Sequence, residues 1–159
     1  RLAETAVSDM SVETVFDIAN NGILVFWLLL IVAPHWRVTE VLVQSVVVPV
    51  VIGLTYTWLI AMVFFGGALP EGGNFTSLSG VMTFFTSPVA ATAGWIHYLV
   101  FDLFVGAWQV RDATRRGIPH LAVIPCLILT LLAGPVGLLL YLALRAGMRR
   151  GGFLLEDPV

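Results

Sequence analysis

Lysine is absent from this chain: all eight basic residues are arginine, set against ten acidic residues in a total of 159. A net charge of -2 with no basic stripe excludes nucleic acid as an expected partner. Charge of either sign is scarce, at 11% of residues, too little to clothe a water-soluble domain of this size. The lone Cys126 rules out an intramolecular disulfide, and its place beside Pro125 in an apolar run reads as an inert buried thiol. Also missing are the G-x-S-x-G elbow, the P-loop, the dinucleotide fingerprint, H-E-x-x-H and paired C-x-x-C spacings. Residues Arg1 to Met10 show neither the basic, apolar, small order of a secretory signal nor the Arg/Ser richness of a transit peptide. Which membrane holds the chain is therefore left open.

What is abundant is apolar surface, with 58% of residues hydrophobic. A bilayer crossing takes about 20 such residues, so the chain is expected to be an all-α integral membrane four-helix bundle of one domain, 1–159, multi-pass and without soluble mass. The spans are placed at about 12–33, 40–65, 88–110 and 120–144. Ser11 is the expected N-cap of the first, and Pro34 stops it. Pro49 is expected to kink the second, which ends at Gly66-Gly67. Between spans two and three, the spacing of Leu78, Val81, Met82, Phe84 and Phe85 predicts a short interfacial or re-entrant helix. Pro88 opens span three, the stretch RDATRRGIP reads as a polar turn, and Gly134-Pro135 breaks the middle of span four. No internal repeat supports a transporter. Four straight crossings put Arg37, Arg111, Arg115 and Arg116 on one side and Arg1, Arg145, Arg149 and Arg150 on the other. That even tally leaves orientation undecided.

Ionisable residues inside hydrocarbon cost roughly 2.5–3.5 kcal/mol each, so each needs a reason. Asp17, His97 and Asp102 are the three that qualify. His97 lies about 13 Å into span three, near mid-bilayer. Asp17, Asn20 and Asn21 share a face of span one at overlapping depth, and Thr55, Tyr56 and Thr57 reach that level from span two. A polar pocket built from spans one to three is the expected arrangement, against the plainer reading of Asn and Asp as interhelical glue. His97 and Asp102 stand about 140° apart on a regular helix, so together they do not chelate one metal unless a π-bulge intervenes. With His120 they would make a 2-His-1-carboxylate iron set, although straight spans place His120 roughly 20 Å from His97 along the membrane normal. Trp95, Tyr98, Phe101 and Phe104 surround the polar pair as an aromatic wall suited to a long apolar ligand.

The segment GWIHYLVFDLFVGAWQVRDA, followed by RRGIPHLAVIPCLILTLLAGPVGLLLYLALR, resembles the neoxanthin synthase-like family of small membrane proteins. FDIANN, WLLLIVAPHW, VVVPVVIGLTYTW and LSGVMTFF extend the similarity over most of the chain, and the W-I-H-x-x-x-x-D-L-F core with G-P-V-G-L-L is its most specific part. The resemblance implies action on a carotenoid or similar polyene, with membrane lipid as the surrounding partner and a homo-oligomer allowed. His97 and Asp102 carry over as the catalytic polar pair, with Asn20, Tyr56 and His120 as further carry-overs. The leading expectation is metal-dependent oxidative cleavage of a β-carotene-like polyene to retinal or another apocarotenoid, with iron held by His97, His120 and Asp102. The alternatives are an epoxide-to-allene isomerase working by acid/base chemistry, and a non-catalytic carotenoid-binding or accessory subunit.

Overall fold

The computed structural model describes residues 2–148, with side chains from residue 11 onward. Six helices follow one another: α1 (Leu2–Val32), α2 (Arg37–Leu42), α3 (Val47–Phe65), α4 (Leu78–Phe84), α5 (Pro88–Arg116) and α6 (His120–Gly147). No strand occurs among the described residues. Ser11–Val32, Arg37–Phe65, Pro88–Arg116 and His120–Gly147 are long and apolar enough to cross a membrane. The chain is thus an all-α, multi-pass membrane protein, as its composition requires. Arg1, Arg149 and Arg150 of the charge tally lie outside the described residues.

The chain divides into two compact units, one holding the residues up to Leu24 with Pro49–Val100, the other Val25–Val48 with the chain from Phe101 onward. In the first unit, Val12, Leu59, Val63, Phe84, Val89, Ala90, Ala93 and Ile96 form the buried cluster. Small residues at Ala90, Ala93 and Gly94 let other groups come close to α5, and the Phe85 ring rests where a Cβ on Gly94 would stand. Helix α4 is the short helix expected between the second and third spans. Ser77 caps it, its Oγ accepting from the Gly80 amide at 3.1 Å; Phe84 is buried, whereas Leu78 and Met82 stay exposed as lipid-facing residues do.

Several boundaries differ from the sequence expectation. Ser11 lies inside α1 and not at its start, because the residues before it continue the helix. The second span is interrupted: α2 ends at Leu42, and α3 begins at Val47, whose amide donates to Ser45 Oγ at 3.1 Å. Pro49 therefore sits in the first turn of α3, where its missing N–H costs nothing, and produces no kink. The RDATRR stretch is helical, not a turn. Helix α5 runs on to Arg116 and stops at Gly117, whose φ of 64° only glycine adopts freely. The Gly117 amide donates to Thr114 O and the Ile118 amide to Ala113 O, the paired bonds of a Schellman ending.

The expected break in α6 is sharper than a kink. Ala133 leaves the helical region (φ -157°, ψ 57°), and the chain reverses there. A Cβ on Gly137 would stand 2.1 Å from the Thr130 amide nitrogen, whereas seven residues of straight helix separate by about 10 Å. Tyr141 and Arg145 reach Asp112, near the end of α5. A straight α6 would carry Arg145 about 37 Å away from His120. Helix α6 is therefore a hairpin of two half-helices, residues 120–132 and 134–147.

Candidate functional site

Within the first unit, the aromatic and polar residues expected at mid-span gather along α5. The Trp95 indole Nε1 donates to Asn20 Oδ1 at 3.0 Å. Trp95 packs on Tyr98 with ring centroids 5.3 Å apart and on Phe16 at 6.1 Å. The Tyr56 and His97 rings lie 5.5 Å apart, tilted by 54°. His97 and Trp95 are both exposed at the surface of the chain, where a ligand dissolved in the bilayer can reach them.

Fewer polar residues meet here than expected. Asn21 Nδ2 donates to Asp17 O, Thr55 Oγ1 to Val51 O and Thr57 Oγ1 to Gly53 O, all four residues back on their own helices. Such back-bonding satisfies a hydroxyl or amide in lipid without any partner helix. Asp17 is exposed. Two sets of sequence-predicted residues thus meet in this unit: Asn20 with Trp95 and Tyr98, and Tyr56 with His97.

The second unit holds Asp102, Phe101, Phe104 and His120. Asp102 is partly buried, with its carboxylate against the backbone of Gly134: a Cβ on that glycine would fall 2.2 Å from Oδ1. Phe101 and Phe104 are exposed, one turn apart on α5. The His120 Nε2 lies 2.9 Å from the Ile31 carbonyl, which accepts its proton. That bond ties the start of α6 to the end of α1. Among the described residues, no three His, Cys, Asp or Glu side chains stand close enough to share a metal ion.

The densest polar cluster escaped the sequence reading. Asp112, only 1% exposed, accepts from the Tyr141 hydroxyl at 2.7 Å, from Arg116 Nε at 2.9 and 3.0 Å and from Arg145 Nη1 at 3.3 Å. One turn before it, Gln109 Nε2 donates to Thr130 Oγ1 at 2.9 Å, and that hydroxyl donates on to Cys126 O. The i, i+3 and i+4 spacing of Gln109, Asp112 and Arg116 was the available signal. It was obscured because the stretch read as a turn. Arg111 donates to Gln44 O, and Gln44 Nε2 to Pro34 O, so the α1–α2 connection is laced to α5 within this unit.

A family model described as ABA DEFICIENT 4-like matches residues 14–141. The chain belongs to the ABA DEFICIENT 4-like family. Protein ABA DEFICIENT 4, chloroplastic, of Arabidopsis thaliana is 29% identical over 112 residues, which cover 67% of this chain and 50% of that relative. The chain spans about half the length of this curated relative. No solved structure matches. The family match bears out the resemblance carried by the W-I-H-x-x-x-x-D-L-F core. It also takes in the ABA DEFICIENT 4-like chain's whole candidate site, from Asn20 to His120, and the Asp112 cluster as far as Tyr141.

Proposed function

We propose that this ABA DEFICIENT 4-like chain is a membrane-embedded carotenoid-modifying enzyme, and that its reaction is an acid/base isomerisation of an epoxide-bearing polyene to an allene. The supporting observation is the Tyr56–His97 ring pair, set in apolar helices with His97 exposed, on the same helix, α5, that carries the Trp95–Tyr98 wall. In such an isomerisation one group gives a proton to the oxirane oxygen as its C–O bond breaks. A second group takes a proton from the adjacent polyene carbon, and the released C–H electron pair completes the cumulated double bond. Atoms and electrons balance with no oxidant. A phenol and an imidazole supply the two proton-transfer groups, and Asn20 fixes the edge of the wall through the Trp95 indole. Oxidative cleavage, the leading expectation from sequence, finds no support in the family match, which fits the isomerase alternative better.

Expression in cells that accumulate an epoxy-carotenoid, with pigment analysis, tests the reading. The parent chain is expected to yield an allenic product, and His97→Ala and Tyr56→Phe to lower that yield at least tenfold while the chain stays in the membrane. No allenic product from the parent would reduce the protein to a carotenoid-binding subunit, and equal yields from parent and variants would take the chemistry away from His97 and Tyr56. Products shortened at a polyene double bond would restore the oxidative reading.

A further inference from the structure

Helix α6 is long and apolar enough to cross a bilayer, yet its contacts do not let it. Its halves, residues 120–132 and 134–147, are each about 20 Å long, short of the roughly 30 Å hydrocarbon core. The first half leaves the α5 terminus and reaches the level of Asp102, where that carboxylate meets Gly134. The second half returns along the same helix: Tyr141 packs edge-on against Trp108 with ring centroids 5.4 Å apart, and Arg145 ends on Asp112. The apex exposes helix-end backbone groups at membrane depth, which lipid tolerates only where protein covers them. Gly134 and Gly137 are buried against Asp102 and Thr130, whereas Ala133 and Pro135 on the other side of the apex are exposed.

The fold-back moves a charge. Arg145, assigned by four straight crossings to the far side, sits instead with Arg116 on Asp112. Arg115 reaches the same carboxylate at 3.6 Å, and Arg111 is laced through Gln44 to the connection that carries Arg37. All five arginines among the described residues thus lie at one end of the second unit. The 66–77 connection, at the opposite end of α5, contains no basic residue.

We infer that the chain crosses the bilayer three times, through α1, α3 and α5, that α6 is a re-entrant hairpin leaving the membrane on its side of entry, and that this arginine-bearing side is the one from which the chain is inserted. The even tally of four crossings becomes a one-sided one, and the positive-inside rule then sets the orientation.

Single reporter cysteines at Pro119→Cys, Met148→Cys and Glu71→Cys, probed with a membrane-impermeant maleimide in sealed vesicles of both orientations, test this. Cys126 is buried and serves as the unlabelled background, with Cys126→Ala as a second background. Positions 119 and 148 are expected to label together in inside-out vesicles and to lose labelling in right-side-out ones, with position 71 showing the reverse. Position 148 labelling with position 71 would overturn the hairpin. All three labelling from one side would overturn the three crossings. Positions 119 and 148 labelling together from the translocated side would overturn the orientation.

Discussion

At the residue scale, the chain's polar groups in apolar helices have different reasons to be there. Asn21, Thr55 and Thr57 bond to their own helices and need no function. Asp112 is a buried anion whose partners all come from α5 and α6, so it holds the hairpin closed. Removing one member of a buried charge cluster leaves the others uncompensated, at about 3–5 kcal/mol. Losing one hydrogen bond to a charged group costs about 1.5–3 kcal/mol. Asp112→Asn is therefore expected to lower the thermal midpoint in detergent micelles further than Tyr141→Phe does. His97 and Tyr56 were legible from sequence because an imidazole and a phenol at mid-span stand out in 58% hydrophobic sequence. Asp112 was not, because a charged residue near a span end looks solvated until its neighbours are known.

At the element scale, two prolines and two glycines decide the path of the chain. Pro49 lies in the first turn of α3, so Pro49→Ala is expected to change stability by less than about 1 kcal/mol, as a denaturation series would show. A mid-span kink would have made the same change far larger. Pro135 opens the second half of α6, two residues after the non-helical Ala133. Gly137 lets the two halves touch, and a methyl there meets the Thr130 backbone, which has no freedom to move aside. Gly137→Ala is expected to destabilise by about 1–3 kcal/mol or more. Gly22→Ala, with nothing within 4 Å of the added carbon, serves as the neutral control in the same thermal assay. The Gly-Pro break was legible, but its angle was not, since the same dipeptide serves a mild kink and a full reversal.

At the scale of the whole molecule, the outward surface is as apolar as an interior. Val25, Leu28, Val32, Val51, Leu54, Leu132 and Leu139 are all exposed. Lipid chains are as good a solvent for them as other helices are, so association relies on small residues and polar bonds and not on hydrophobic burial. The expressed chain is expected to remain in the membrane pellet through an alkaline carbonate wash, and release into the supernatant would contradict the multi-pass reading.

Hydropathy alone settled that this is a helical membrane protein with four apolar stretches, because a backbone in hydrocarbon must satisfy its hydrogen bonds internally and runs of this length admit only helices. The W-I-H-x-x-x-x-D-L-F core likewise carried the family. Tertiary structure alone decided which polar residues meet, that Asp112 is the densest polar centre among the described residues, and that α6 turns back. The reason is physical: composition determines whether a segment prefers lipid, but the direction it takes there depends on side-chain partners many residues away along the chain.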